Sequence, residues 1–163
     1  MHFVHSRVRI LLSLCPTKQG AFLMKRKAEA EWKGTLQQGS GVMKLGSGVF
    51  EGAYNFGTRF GEEPGTNPEE LIGAAHAGCY SMFLAAVLGN NGFPATSVHT
   101  TATVTLGRDE TGPVVSNIDL VCEAEVPNIS AEQFAEFAEL SKKNCPISRA
   151  LAGPEVSLQA TLL

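Results

Sequence analysis

The amino-acid sequence predicts a single α+β domain. Strand-like patterns come first, then a long apolar helix, then two more strands, a second helix and a last strand. Glycine-rich turns, rather than helices, separate the early strands, which favours antiparallel sheets over a doubly wound parallel sheet. At 163 residues, 44% hydrophobic and 18% charged, the chain is long enough for one domain with a sizeable core.

The first 23 residues differ from the rest of the chain. They combine a basic start with a short apolar stretch over residues 10–14, and they contain no cleavage motif typical of a signal peptide. We expect residues 1–23 to be a disordered or wrongly assigned extension, with a targeting role as the alternative. The folded domain is expected at 24–163, so Cys15 belongs to the extension.

Three short strands are predicted at the start of the domain. The stretch from Lys25 to Trp32 alternates polar and apolar residues, and glycine turns at 39–41 and 46–48 separate it from VMKL and GVFEGAYNF. This spacing is typical of an antiparallel meander.

A long helix is predicted over residues 68–90. Asn67 can cap it, Pro68 suits its first position, and Glu69 and Glu70 face the positive end of its dipole. The helix is apolar nearly all round, so we expect a sheet or a partner chain to cover every side of it.

The apolar run from Leu71 to Leu88 also raises the question of a membrane span. It contains His76, Tyr80, Ser81 and two glycines, and it follows a cap of the kind found in soluble proteins. A buried core helix is therefore the preferred interpretation, and we expect no membrane partner.

The remaining elements follow from alternation and capping signals. Residues 98–106 and 115–124 alternate in step and are predicted to form a hairpin through RDETGP. Ser130 opens a helix with a capping box, and Pro146 and Gly153 bracket a short helical piece. The stretch VSLQATLL closes the chain as a strand.

Charge and cysteine content exclude several functions. The net charge of −3 comes from interspersed acids and bases, without the basic block that nucleic acid or an anionic membrane would require. Four cysteines, at positions 15, 79, 122 and 145, are too few for a disulfide-stapled scaffold and contain no CxxC pair for zinc. We expect no metal and no cofactor, and thiol chemistry is the remaining option.

Cys145 has the clearer local signal for reactivity. In KKNCPIS it follows two lysines and precedes Pro146, so it stands where a helix N-terminus would stabilise a thiolate. The alternative is that Cys145 only fills the junction between two helices.

Cys79 lies in the middle of the apolar helix, and by position alone it is a core cysteine. His76, one turn earlier, could hydrogen-bond or deprotonate it, although a lone helical histidine is more often structural. Met82 and Phe83 could line an apolar site, but core packing is the preferred interpretation of both. Cys122 alternates with apolar residues in a strand and is interpreted as core.

Two motifs carry a resemblance to a known family. TRFGEEPGTNPEELIGAAHAGCYSM, with NCPIS further on, resembles the OsmC family of osmotically inducible peroxidases from about Lys25 to the C-terminus. The related organic-hydroperoxide-resistance branch places its arginine nearer the N-terminus. Arg59, twenty positions before Cys79, favours the OsmC branch.

The resemblance implies an OsmC-like fold, with antiparallel sheets wrapped around a long central helix in an intertwined homodimer. It implies that Cys79 is the peroxidatic cysteine, that Cys145 resolves it as a disulfide, and that Arg59 and Glu69 complete the site. A guanidinium beside a buried thiol would offset its desolvation, and Glu69 could aim Arg59 through a bidentate pair. An external dithiol, small or lipoyl-type on a partner protein, would then reduce the disulfide.

Helix geometry adds one expectation. Ten residues of straight helix separate Glu69 from Cys79 by roughly 15 Å, which is too far for one compact site. We therefore expect Cys79 of one subunit to work with Arg59 and Glu69 of its partner.

The predicted function is a cytoplasmic peroxidase that reduces organic hydroperoxides, and hydrogen peroxide more weakly, in oxidative or osmotic stress. A redox sensor or small-molecule-binding module that uses the same pocket without turnover is the alternative. A structural dimerisation domain with incidental cysteines is a third reading, and the presence of all four site residues makes it the weakest.

Overall fold

The structure, a computed structural model, describes residues 23–163. The predicted extension at 1–23, including Cys15, therefore lies almost wholly outside the described residues. The elements follow in chain order: β1 Ala28–Lys33, β2 Ser40–Leu45, β3 Glu51–Asn55, α1 Phe56–Phe60, α2 Pro68–Asn90, β4 Ser97–Asp109, β5 Gly112–Glu125, α3 Ala131–Asn144, α4 Pro146–Ala150 and β6 Glu155–Leu162.

The N-terminal strands form the predicted meander. β2 pairs antiparallel with both β1 and β3, in the order β1-β2-β3. Trp32 packs against Tyr54 across this sheet, with ring centroids 5.2 Å apart. Every residue of β1 except Trp32 is exposed, so this sheet has no hydrophobic core of its own within one chain.

The cap predicted for the long helix is present. The Asn67 side chain accepts a hydrogen bond from the Glu70 backbone N–H at 2.8 Å, and Pro68 occupies the first turn. The helix ends at Asn90 with Asn91 as its C-cap, and Gly92 follows with φ +87°, a conformation that favours glycine. The predicted bounds of α2 are thus confirmed at both ends.

The C-terminal sheet has the order β4-β5-β6 and corrects one detail of the prediction. β4 and β5 form the expected antiparallel hairpin, but β6 pairs with β5 in parallel. The sheet is therefore mixed rather than fully antiparallel. The reason is the connection: α3 and α4 lie between β5 and β6 and carry the chain back across the sheet, as a parallel pair requires.

The hydrophobic core lies between α2, α3 and the inner face of β5. The strand alternation predicted this face, since every second residue of β5 from Ile118 to Ala124 is buried. The buried hydrophobic residues are Tyr80, Leu84, Leu88, Ile118, Leu120, Cys122, Ala124, Val126, Phe134, Ala138 and Cys145. All of them lie at or after Tyr80 in α2, and none comes from the first sheet, so α2 with the second sheet holds the core of the chain.

Only one face of α2 is buried within a single chain. Its buried residues recur every three or four positions: Glu69, Gly73, His76, Tyr80, Leu84 and Leu88. The opposite face is apolar and exposed, and Met82 on it is 77% exposed. The helix has the length and hydropathy of a membrane span. However, Glu69 and His76 are buried on its inner face, which is the arrangement of a core helix of a folded domain.

The sequence did not predict α1, a single turn directly after β3. Asn55 caps it through a capping box with Thr58, whereas Gly57 within it and Gly61 after it are typical of a loop in the sequence. Asn67 donates from its side-chain amide to the Thr58 backbone carbonyl at 3.2 Å. This bond ties α1 to the start of α2 and holds Arg59 near that end of the helix.

Candidate active site

Two cysteines that are distant in sequence lie together at the junction of three helices. Cys79 stands in the middle of α2, and Cys145 lies between α3 and α4, where it caps both helix ends. Their sulfur atoms are 3.1 Å apart, and both thiols are free. A disulfide bond of about 2 Å would need only a small further approach of the two sulfurs.

Cys145 immediately precedes the first residue of α4, at that helix's N-cap position. Cys145 makes no regular capping hydrogen bond with its side chain. Burial alone would raise the pKa of Cys145, but the Ser148 backbone N–H, the Cys79 thiol and the Ser148 hydroxyl together outweigh it and lower that pKa. Burial, and then the hydrogen bond with Cys145, raises the pKa of Cys79, although the Ile147 backbone N–H opposes this shift.

The two sulfurs differ in their access to solvent. Cys145 is fully buried, with no exposed surface, whereas Cys79 is only partly buried. A small molecule from solvent therefore reaches Cys79 first. Cys145, whose pKa is lowered, is therefore less accessible to solvent than Cys79, whose pKa is raised.

Arg59 and Glu69 form a two-pronged ion pair. Arg59 Nη2 donates to Glu69 Oε1 at 2.8 Å, and Arg59 Nε donates to the same oxygen at 3.2 Å and to Oε2 at 3.3 Å. The side chains are 34% and 11% exposed, respectively. Asn67, at the start of α2, ties α1 to that helix and so holds the Arg59 and Glu69 side chains near each other. The guanidinium carbon of Arg59 lies 5.3 Å from the centroid of the Phe60 ring.

This ion pair does not reach the sulfur pair within one chain. Arg59 and Glu69 line a cavity of about 450 Å³ together with the first turns of α2 and residues of β4, while neither cysteine lines it. Among the described residues no hydrogen bond joins Arg59 to Cys79. Within one chain the four candidate residues therefore form two separate pairs. Cys79 lies beside Cys145, and Arg59 binds Glu69.

His76 and Ser148 form a contact that the sequence interpretation missed. His76 is fully buried, and its Nε2 lies 2.8 Å from Ser148 Oγ, not on Cys79. Desolvation by burial lowers the pKa of His76. Ser148 stands three residues after Cys145 at the start of α4, the spacing of a helix cap, and this was the available signal.

Cys122 is a core residue, as predicted. It is fully buried in β5 and lies against Thr100 of β4, and burial is the main cause that raises the pKa of its thiol. Over residues 23–163, no three His, Cys, Asp or Glu side chains are grouped closely enough to hold a metal ion.

Sequence comparison places these residues in a family. Residues 61–159 match the family described as OsmC-like protein. The peroxiredoxin OsmC of Escherichia coli (strain K12) is 44% identical over 138 residues, which cover 84% of this chain and 96% of that protein. The chain belongs to the OsmC-like family. The organic hydroperoxide resistance protein-like 1 of Staphylococcus saprophyticus is also similar to this OsmC-like chain, with 29% identity over 103 residues that cover 62% of this chain and 72% of that protein.

Solved structures support the fold of this OsmC-like protein. The organic hydroperoxide resistance protein OhrB of Bacillus subtilis superposes with a TM-score of 0.62 at 22% identity, over 84% of this chain and 98% of that one. An OsmC like protein from Mycoplasma pneumoniae gives a TM-score of 0.66 at 18% identity, over 86% and 98%. The predicted α+β, OsmC-like architecture is confirmed.

Proposed function

We propose that this OsmC-like protein is a thiol peroxidase that reduces organic hydroperoxides, and hydrogen peroxide more weakly, in the response to oxidative or osmotic stress. The observation that carries the proposal is the 3.1 Å separation of the Cys79 and Cys145 sulfurs. Similar proteins named peroxiredoxin OsmC and organic hydroperoxide resistance protein support the same chemistry.

In the first step the Cys79 thiolate attacks the hydroperoxide. The sulfur takes the terminal oxygen, the O–O bond breaks, and the alkoxide takes a proton and leaves as an alcohol. Cys79 becomes a sulfenic acid. Partial exposure of Cys79 lets the peroxide reach this sulfur, while the buried Cys145 is shielded from direct oxidation.

In the second step Cys145 attacks the Cys79 sulfenic acid. An S–S bond forms, and the hydroxide that leaves takes a proton and departs as water. The lowered pKa of Cys145, which its place at the start of α4 favours, suits it to act as this nucleophile. An external dithiol, small or carried as a lipoyl group on a protein, then reduces the disulfide by thiol–disulfide exchange: both protein thiols are restored and the dithiol becomes a disulfide. We place the cycle in the cytoplasm, where dithiols are kept reduced.

The first step needs a cation beside Cys79, because burial raises the pKa of this thiol. We propose that a second copy of the chain supplies Arg59, aimed by Glu69, in a homodimer with shared active sites. Three features support this proposal: the ion pair is separate from Cys79 within one chain, one apolar face of α2 is exposed, and β1 is almost wholly exposed. A guanidinium would lower the pKa of Cys79 and polarise the O–O bond.

An apolar cavity beside the site supports organic substrates. It has a volume of about 300 Å³ and adjoins Ile147, whose backbone N–H faces Cys79. Its lining residues are Leu71, Ile72, Ala75, Ile147, Ala150 and Leu151. The alkyl part of a hydroperoxide would gain burial there, whereas hydrogen peroxide would not.

The test is steady-state consumption of cumene hydroperoxide and of hydrogen peroxide with a dithiol in excess. We compare wild type with Cys79→Ser, Cys145→Ser and, as the matched control, Cys122→Ser, which removes a buried thiol away from the site. We expect no turnover with Cys79→Ser, rapid overoxidation of Cys79 with Cys145→Ser, and wild-type turnover with Cys122→Ser. Mass spectrometry of each peptide identifies the oxidised sulfur.

A protein that only senses peroxide would give one oxidation event per subunit and no continued consumption. That result, in wild type with both small and lipoyl-type dithiols present, would exclude the peroxidase. Full activity in Cys79→Ser would equally contradict the assignment of the first step.

A further inference from the structure

The helix that carries Arg59 is too short to maintain its own conformation. α1 is a single turn, Phe56–Phe60, whereas an isolated helix of fewer than about 12 residues is marginal in water. No residue of α1 belongs to the hydrophobic core. Contacts from neighbouring segments must therefore hold this turn, and with it the direction of Arg59.

Arg59 depends on such contacts because it borders two cavities. One, of about 450 Å³, also adjoins Glu69. The other, of about 270 Å³, is lined mainly by aromatic side chains, among them Trp32, Tyr54 and Phe56. A shift of α1 would thus leave the guanidinium room to turn away from Glu69.

Glu63, three residues after the end of α1, contacts this turn twice. Its carboxylate oxygen Oε2 accepts a hydrogen bond from the Asn55 side-chain amide at 3.0 Å. Its backbone N–H donates to the Gly57 carbonyl at 3.4 Å. The other side-chain atom of Asn55, its oxygen, accepts from the Thr58 backbone N–H at 2.8 Å and so caps α1. Glu63 therefore fixes the amide that starts the turn.

Gly57 leaves the space that the Glu63 carboxylate occupies. A Cβ added at this position would overlap that carboxylate. The φ of Gly57 is negative and its backbone is helical, so the backbone itself would accept alanine. The close approach of Glu63, rather than the backbone conformation, is what requires glycine here.

We propose that Glu63 is a positioning residue for Arg59. It holds the Asn55 amide that caps α1, and the turn then keeps the guanidinium in its two-pronged contact with Glu69. An effect of Glu63 on turnover rests on the proposed function, in which Arg59 acts on the peroxide. The effect on the position of Arg59 does not depend on that function.

The position of Arg59 is measured without peroxide, as the exchange of its Nε–H with water in NMR spectra of the nitrogen-labelled full chain. This N–H is donated to the Glu69 carboxylate, and Arg59→Lys identifies its signal. We expect about fivefold faster exchange in Glu63→Ala, the ratio that corresponds to the net contribution of one hydrogen bond. Glu63→Gln keeps an acceptor oxygen and should keep the slow exchange.

Two further variants separate the hydrogen bond from effects of charge and of glycine. Glu62→Ala removes the same charge from the exposed neighbouring residue and should leave the exchange rate unchanged. Gly57→Ala pushes the Glu63 carboxylate aside and should match Glu63→Ala. In the double variant the two effects should not add, because the carboxylate that the new side chain displaces is already absent.

Unchanged exchange of the Arg59 N–H in Glu63→Ala, or equally fast exchange in Glu63→Gln, would overturn the proposal. Additive effects of Gly57→Ala and Glu63→Ala would do the same. If Glu63→Ala does not fold, as circular dichroism would show, Gly57→Ala decides the question by the same measurement.

Peroxide consumption with a dithiol in excess separates this role from the proposed function. In Glu63→Ala and Gly57→Ala, kcat/KM for cumene hydroperoxide should fall about fivefold, while Glu63→Gln and Glu62→Ala retain it. Faster exchange with unchanged kcat/KM would overturn the role of Glu63 in the reaction. If wild type does not consume peroxide while Glu63→Ala still speeds the exchange, only the peroxidase proposal fails.

Discussion

Two of the ion pairs, Arg59–Glu69 and Lys142–Glu139, are similar in length but differ in their contribution to stability. Arg59 and Glu69 form a two-pronged pair in which the carboxylate is only 11% exposed. Glu139 and Lys142 are joined by a single contact at 3.0 Å, with the carboxylate 60% exposed. An exposed single pair contributes about 0–1 kcal/mol, whereas removal of one partner from a buried pair leaves an uncompensated charge. The pair with Glu69 therefore holds Arg59 in a fixed direction, which fits the role proposed for it.

His76 should make folding stability sensitive to mild acid. Burial lowers the pKa of His76 in the folded state, while in the unfolded chain it titrates at about 6.5. Below that pH the unfolded chain binds a proton that the folded chain does not, so stability falls as pH falls, by at most about 1.4 kcal/mol per pH unit. We expect urea unfolding between pH 7.5 and 5.5 to show a smaller loss in His76→Gln than in wild type.

The control for this measurement is His99→Gln, which removes a solvent-exposed imidazole from β4. It should leave the decline between the two pH values unchanged. An identical decline in wild type and His76→Gln would show that other groups cause it.

Asn67 has two structural roles: it caps α2 and it ties α1 to the start of that helix. The Asn67 side chain caps the helix through its oxygen, at 2.8 Å from the Glu70 nitrogen, and ties α1 through its amide group, at 3.2 Å from the Thr58 oxygen. The next residues along each element are Arg59 on α1 and Pro68 and Glu69 on α2. The position of the ion pair therefore depends on the same side chain that starts the helix.

Asn67→Ala should lower both stability and activity. Loss of a helix cap costs about 1 kcal/mol of the free energy of unfolding. In addition, the lost contact to α1 should loosen the position of Arg59 and reduce kcat/KM for cumene hydroperoxide. Ser130→Ala is the matched control, because it removes the equivalent cap of α3, where Ser130 accepts from the Gln133 nitrogen at 3.2 Å.

The two caps should thus differ in their effect on catalysis. Denaturant unfolding should give similar losses of stability for the two variants, while only Asn67→Ala should lose activity under conditions where both remain folded. Equal activity in the two would mean that Asn67 does not position the arginine.

One chain leaves apolar surface that a stable domain would cover. The β1-β2-β3 sheet contributes no residue to the hydrophobic core, and the exposed face of α2 includes Gly78 and Gly89, whose Cα positions have open space around them. Small residues of this kind permit close approach of a second helix. These features fit the proposed homodimer, in which Arg59 of one copy would act beside Cys79 of the other.

Mixing of two inactive variants tests the shared site directly. Cys79→Ser and Arg59→Gln should each be inactive alone, but they should complement each other when co-expressed. A mixed dimer then has one site with both native residues, so random pairing should restore about a quarter of wild-type activity. Peroxide consumption by the co-expressed pair is the measurement, with light scattering to confirm the dimer.

The control is a mixture of two variants with a lesion in the same residue, Cys79→Ser with Cys79→Ala, which offers no complementary site and should stay inactive. Absence of activity in the first mixture, with mixed dimers present, would place Arg59 and Cys79 in one chain and refute the shared site.

The sequence by itself determined the local elements of this protein. Asn67, Pro68 and the acidic pair after them predicted the start of α2, and the Ser130 capping box predicted α3, because such signals act over one helical turn. Strand alternation predicted the inner face of β5, since side chains on a strand alternate between its two sides. The family resemblance supplied Cys79, Cys145, Arg59 and Glu69 as candidates.

Contacts between distant segments were decided only by the tertiary structure. Nothing local in the sequence relates Cys79 to Cys145, or His76 to Ser148, because these pairs are 66 and 72 residues apart and meet only when α4 is placed against α2. The parallel pairing of β6 depends on the path of α3 and α4 across the sheet. Local signals set where each element begins and ends, whereas burial of shared apolar surface sets which elements meet and which sulfur and nitrogen atoms become neighbours.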